Sequence, residues 1–330
     1  MSLLSQHDAL LLDLDGTVWK GGEAIDGAVE TINDAASQGI TSVFITNNAS
    51  RAPQDVATKL GAIGFQTDAD HVLTSAQAAV SLARQYVADT GKAYVVGAPS
   101  FKDLALAAGF TVVESADENP DVVLHGHSPE TGWAQLTEAA LSIQRGARYI
   151  ASNLDTTLPM ERGLAVGNGS LVAAVTTATG VRPASAGKPE PEMFFQAQRN
   201  VGSTKPLAVG DRLNTDIEGA VAAKVPVAHV MTGVSGPMSL VEAPKEQRPT
   251  YLAVDMRDLY KDPEYLKPGA QGGFTARVDG DNILLDRGID TGTPMEALRT
   301  VLQVAWAMPK PPTLIRPMSE AAERAAAGWW

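Results

Sequence analysis

Ala9-Leu10-Leu11-Leu12-Asp13-Leu14-Asp15-Gly16-Thr17 is the stretch that decides the fold of this chain. Its apolar run is too short for a helix, is bounded by Gly16, and reads as a strand buried on both faces, as in a parallel sheet. Two carboxylates spaced i, i+2 at the carboxyl end of such a strand are costly unless a counter-charge is present. A divalent cation is the usual one. With a metal in place, one carboxylate can act as nucleophile and the other as acid or base. That is the equipment for phosphoryl transfer through an aspartyl-phosphate.

Outward from this stretch, Ala28, Val29, Ile32 and Ala36 fall at helical spacing, and residues 41–46 form a β-branched strand ending in Asn47-Asn48. Pro53 suits the first turn of a second helix. The β-α-β-α order predicts a parallel sheet with right-handed crossovers. A second α/β pattern follows, with strands expected at 93–96, 111–113, 122–124 and 149–151. Its helix with Trp133, Leu136, Ala140 and Ile143 on one stripe suggests a core of its own. The first pattern then resumes with strands at 206–209, 225–231 and 251–254. The expected organisation is a core domain of residues 1–75 and 185–260, an inserted domain of 76–184, and a small C-terminal α+β appendage of 261–330. In the appendage two strands (274–278 and 283–286) and a helix (295–308) precede Pro309, Pro311, Pro312 and Pro317, which are expected to break structure before an Ala-rich tail ending Trp329-Trp330.

A chain of 330 residues exceeds one ordinary core, and 44% hydrophobic with 19% charged residues excludes wholesale disorder. The absence of cysteine excludes disulfides, thiolate metal sites and a cysteine nucleophile, and fits a reducing compartment. Without a basic, apolar leader pattern or an apolar stretch near ~20 residues, the protein is expected to be soluble and cytoplasmic. A net charge of −12 with no basic cluster argues against nucleic acid and anionic membrane as partners. A phosphate ester would then need a locally positive site built from a metal, a lysine and backbone N–H groups.

Three strands end in polar residues: Asp13 and Asp15, then Thr46-Asn47-Asn48, then Asp211 with Asp216. Ligands of open α/β sheets bind beyond the carboxyl ends of the strands. Lys188, in Gly187-Lys188-Pro189, opens the resumed core and is the natural cation for the same crevice. A calcium loop starting at Asp13 is excluded by Val18 at its sixth place and Ala24 at its twelfth. Taken singly, Thr46-Asn47-Asn48 reads as a capping turn, Lys188 as a solvated lysine, and Asp211 and Asp216 as helix caps. Their order on successive strand ends points instead to one site.

The series Asp13-x-Asp15-Gly16-Thr17, Thr46-Asn47-Asn48, Lys188 and Gly210-Asp211 … Thr215-Asp216 resembles the haloacid dehalogenase superfamily of phosphatases. The insert between Thr46 and Lys188 resembles its subfamily with a C2-type α/β cap, which includes NagD-like, p-nitrophenyl, phosphoglycolate and glycerol-3-phosphate phosphatases. Leu73-Thr74-Ser75-Ala76, Ala151-Ser152-Asn153-x-Asp155, Gly167-Asn168-Gly169-Ser170 and Thr232-Gly233-Val234 extend the resemblance, which covers about residues 9–260. It implies an α/β fold: a doubly wound, Rossmann-like parallel-sheet core with an inserted cap. It also implies Mg2+-dependent hydrolysis of a small phosphorylated metabolite.

By that resemblance Asp13 attacks phosphorus, and Asp15 serves as acid and then base. The metal would be held by Asp13, the Asp15 carbonyl, Asp211 and Asp216. Thr46 and the N–H groups of Asn47 and Asn48 would bind phosphoryl oxygens, with Lys188 neutralising them. In the cap loops, His127, Asn153 and Asp155 are candidates for the leaving group, while His229 is expected in the core. Glycerol 3-phosphate is the expected substrate, because the cap segment 121–133 and the appendage look most like members with that activity. Sugar phosphates, phosphoglycolate and nucleoside monophosphates are the alternatives, and a phosphotransferase or mutase would use the same core. The appendage resembles a piece of an acetyltransferase fold but lacks the glycine spacing that cradles coenzyme A. It is expected to serve structure or a homodimer contact through Trp329-Trp330.

Overall fold

Ala9–Leu12 is a strand with all four residues buried, as its composition requires. The computed structural model describes residues 1–88, 90–160 and 162–329. The chain divides into two units, Met1–Ser42 with Ile63–Phe65 and Gln198–Trp330, and Val43–Ala62 with Gln66–Ala197. Trp330, half of the expected subunit contact, lies outside the described residues. Among those residues no helix is long and apolar enough to cross a membrane.

In the first unit, Ala9–Leu12, Pro206–Gly210, Val227–Val230 and Tyr251–Ala253 pair side by side, every pair parallel. Every residue of these strands is buried, so they read as apolar runs rather than alternating ones. Each fully buried leucine contributes about 2 kcal/mol. Register sets Leu12 opposite Val209, and the Asp13 N–H continues the ladder to the Val209 carbonyl at 3.0 Å. The carboxyl ends of Ala9–Leu12 and Pro206–Gly210 therefore coincide. After Gly210 the chain enters a π-helical turn, Leu213–Ile217, which leads into the helix Glu218–Ala222.

The C-terminal residues of this unit form a sheet in which Phe274–Asp279 runs antiparallel to Asn282–Arg287, and Leu314–Pro317 lies parallel to the latter. The helix Pro294–Ala305, closed by a Thr293/Glu296 capping box, buries Met295, Leu298, Val301 and Leu302. Its Arg299, 1% exposed, donates to the Leu252 carbonyl and lies 3.7 Å from Asp258, which ties the helix to the parallel strands. The proline-rich stretch does not simply break structure. Leu314–Pro317 is an edge strand, where a proline deprives no neighbour of a donor.

In the second unit five strands pair in parallel, in the order Ala184–Ser185, Arg148–Ala151, Val122–His125, Lys92–Val96, Thr111–Val113. The helices Trp133–Gln144 and Asn168–Thr179 pack on the side chains of Tyr94, Val96, Val123 and Tyr149 through Ala139, Ile143, Val172 and Val175. Trp133 does not join the expected stripe. It is the first residue of its helix and 82% exposed, and the buried face is Ala139, Ser142 and Ile143. A separate parallel pair in this unit joins Phe44–Thr46 to Val72–Thr74. The helix Ser75–Ala83 follows at once, closed by a Thr74/Gln77 capping box. Both units are thus parallel sheets with helices packed on them, the α/β class expected.

Candidate active site

Asp13 extends the strand Ala9–Leu12, Asp211 follows Pro206–Gly210, and Asp216 lies in the π-helical turn. One carboxylate oxygen from each lies within 4.8 Å of the others. Asp211 is 1% and Asp216 4% exposed. Main-chain donors hold them: the Val234 N–H reaches Asp211 Oδ2 at 2.6 Å and the Arg212 N–H reaches Asp216 Oδ2 at 3.1 Å. The Thr17 hydroxyl adds a long contact of 3.4 Å to Asp211 Oδ1. His229 is fully buried, as expected, and burial lowers its pKa to about 4. As a neutral ring it donates from Nε2 to the Asp211 carbonyl at 3.0 Å.

Three acceptor-only carboxylates at this spacing repel one another, and a hard divalent cation with oxygen ligands fits the donor set. Backbone packs closely around Asp211. A Cβ at Gly233 would lie 1.9 Å from Asp211 Oδ2, and one at Gly16, where φ is 93°, would lie 2.6 Å from it. Glycine is required at both positions.

Asp15 is exposed, and its Oδ1 accepts a 2.8 Å hydrogen bond from Trp19 Nε1. Trp19 opens the short hairpin of Trp19–Lys20 and Glu23–Ala24, which the sequence reading missed. The signal available was an aromatic residue four positions beyond an acid in a glycine-rich turn.

In the second unit Thr46 and Lys188 are buried, 5% and 4% exposed. The Asn48 N–H donates to Thr46 Oγ1 at 3.1 Å, while Asn48 Oδ1 accepts from the Ser50 N–H and hydroxyl at 2.8 and 2.7 Å. Lys188 Nζ donates to the Ile45 carbonyl at 3.2 Å. Asn47 joins the two segments: its Oδ1 accepts from the Lys188 N–H at 2.8 Å and its Nδ2 donates to the Lys188 carbonyl at 3.0 Å. The expected phosphate-binding residues Thr46, Asn47, Asn48 and Lys188 therefore form one bonded cluster.

Two of the cap candidates belong to that cluster. Asn153, 4% exposed, donates to the Asn47 carbonyl at 2.7 Å and accepts from the Asp155 N–H at 3.2 Å. Asp155 Oδ2 accepts from Asn47 Nδ2 at 3.1 Å. Ser75, absent from the sequence reading, donates to the same Asn47 carbonyl at 2.6 Å. His127 is partly exposed in the loop after Val122–His125. Its neighbour His125 is fully buried against the Tyr149 hydroxyl at 2.8 Å, and burial lowers its pKa to about 4.

Residues 10–111 match the haloacid dehalogenase-like hydrolases, and residues 185–259 match a HAD-hydrolase-like family. D-glycerol 3-phosphate phosphatase of Mycobacterium tuberculosis is 40% identical over 313 residues, covering 92% of this chain and 87% of that protein. The acid sugar phosphatase of Staphylococcus saprophyticus is 33% identical over 79% of this chain and 100% of its own length. A crystal structure of glycerol phosphate phosphatase from Mycobacterium tuberculosis in complex with magnesium superposes with a TM-score of 0.93 at 39% identity, covering 99% of this chain and 98% of that one. The C-terminal segment therefore has a counterpart in that structure.

Proposed function

Because the chain belongs to the haloacid dehalogenase-like hydrolases, we propose that it is a Mg2+-dependent phosphatase of small phosphate monoesters, with glycerol 3-phosphate as its substrate. The meeting of Asp13, Asp211 and Asp216 at adjacent strand ends carries this reading, since it equips a potential nucleophile with a cation site. The choice of glycerol 3-phosphate is supported by the near full-length similarity to proteins of that activity.

Mg2+ held by Asp13, Asp211, Asp216 and the Asp15 carbonyl would supply the positive charge that lets an anionic nucleophile approach an anionic ester. Asp13 forms the bond to phosphorus as the bond to the glycerol oxygen breaks. Asp15 gives its proton to the departing alkoxide, then takes one from the water that hydrolyses the aspartyl-phosphate. Thr46 and the N–H groups of Asn47 and Asn48 hold the phosphoryl oxygens, and the Lys188 ammonium neutralises them. Residues 76–184 serve as the cap, with His127, Asn153 and Asp155 the candidates for contacts to the leaving group.

A phosphate-release screen tests the proposal. Glycerol 3-phosphate, phosphoglycolate, sugar phosphates and nucleoside monophosphates are compared at equal concentration with Mg2+. Glycerol 3-phosphate should give the highest kcat/KM. A sugar phosphate in first place would overturn the substrate, and no free phosphate from any ester would overturn the reaction class.

A further inference from the structure

Lys188 sits in a turn outside any strand, so no ladder holds its main chain in place. The Asn47 carboxamide does that work. It offers an acceptor to the Lys188 N–H at 2.8 Å and a donor to the Lys188 carbonyl at 3.0 Å, as a neighbouring strand would. The fit is close: a Cβ at Gly187 would lie 2.8 Å from Asn47 Oδ1 and 2.6 Å from the Ser152 carbonyl. The far end of the side chain is fixed by the same short stretch, since Nζ donates to Ile45, two residues before Asn47. A flexible four-carbon stem is thereby held at both ends.

The carboxamide has two N–H donors, and both are spent, one on the Lys188 carbonyl and one on Asp155 Oδ2 at 3.1 Å. None is left for a phosphoryl oxygen. The Asn47 peptide is itself pinned, because its carbonyl accepts from Ser75 Oγ at 2.6 Å and Asn153 Nδ2 at 2.7 Å.

We propose that the Asn47 side chain is a positioning residue, fixing the backbone of Lys188 so that its ammonium is presented to the phosphoryl group, and that Asn153 and Ser75 hold Asn47 for this purpose. The inference rests on the phosphatase reading above and on the role given there to Lys188. It reassigns Asn153 from a substrate contact to a support of the phosphate-binding cluster.

A double-mutant cycle tests it, with inorganic phosphate as the competitive probe of the phosphoryl site. Asn47→Ala should raise the inhibition constant for phosphate by about tenfold or more, in the direction of Lys188→Met. The double variant should match Lys188→Met alone, because the two act as one unit. Asn153→Ala should shift the constant the same way by a smaller factor, and Asn47→Ser should restore part of the affinity. Circular dichroism and Tm separate these effects from loss of fold, and Asn47→Ser serves for the cycle if Asn47→Ala does not fold. Losses that multiply in the double variant, or a phosphate constant within about twofold of wild type in folded Asn47→Ala (in Asn47→Ser only where Asn47→Ala does not fold), would overturn the assignment alone. A wild type without phosphatase activity, or a Lys188→Met variant with unchanged phosphate inhibition, would overturn the underlying reading as well.

Discussion

Trp19 Nε1 donates a 2.8 Å hydrogen bond to Asp15 Oδ1, so the indole of a short hairpin orients the second carboxylate of the opening motif. Asp15 is otherwise exposed and would sample several rotamers. A hydrogen bond to a charged acceptor is worth about 1.5–3 kcal/mol, or roughly a factor of ten in rate at the lower end. Trp19→Phe is therefore expected to lower kcat about tenfold with little change in KM. Steady-state kinetics on glycerol 3-phosphate measures this, and an unchanged kcat would remove Trp19 from the account.

Asp211 and Asp216 are buried beside Asp13, so a cation bound there should stabilise the fold as well as the reaction. Mg2+ at about 100 times its dissociation constant adds about 2.7 kcal/mol by mass action. Thermal unfolding should show a higher Tm with Mg2+ than with EDTA, and Asp211→Asn should abolish the difference. A Tm indifferent to Mg2+ would contradict a cation site at these residues.

Backbone at Gly233 touches the Asp211 carboxylate, and an added Cβ would fall 1.9 Å from Oδ2. Gly233→Ala must displace Asp211 or the loop carrying Val234. The Mg2+ concentration for half-maximal activity should rise by about tenfold or more in this variant, while far-UV circular dichroism stays unchanged. Normal Mg2+ dependence would show that the loop yields without cost.

Much of this arrangement was legible in the sequence, for identifiable reasons. Ala9–Leu12 and Pro206–Gly210 are apolar at every position, which marks strands of a parallel sheet, and the acids that follow them are costly there without a counter-charge. Residues whose work is done by backbone or by distant partners were not legible. Nothing local announces that Val234 lends its N–H to Asp211, or that Ser75 donates to the Asn47 carbonyl. Trp133 was misplaced because helical spacing shows which residues share a face, but not whether the first turn has anything to pack on. Leu314–Pro317 was missed because proline is a breaker in a central strand yet harmless at an edge.

Burial keeps His125 neutral, with a pKa of about 4 against about 6.5 for an unperturbed histidine. Between those values the unfolded chain binds a proton that the native ring refuses. Stability is therefore full above pH 6.5 and falls as pH drops toward 4, by about 3 kcal/mol from this residue. His229 acts in the same direction. Urea unfolding at pH 7.5 and pH 4.5 should show a smaller loss for His125→Phe than for wild type, whatever the constant cost of leaving Tyr149 without its partner. An equal loss in both would place the acid sensitivity elsewhere.

The central claim is that Asp13 is the nucleophile of a Mg2+-dependent phosphatase. The most direct measurement is phosphate release from glycerol 3-phosphate by Asp13→Asn with saturating Mg2+, alongside a Tm that verifies the fold. Turnover should fall by about a thousandfold or more while the protein remains folded. Turnover near that of the wild type would contradict the account.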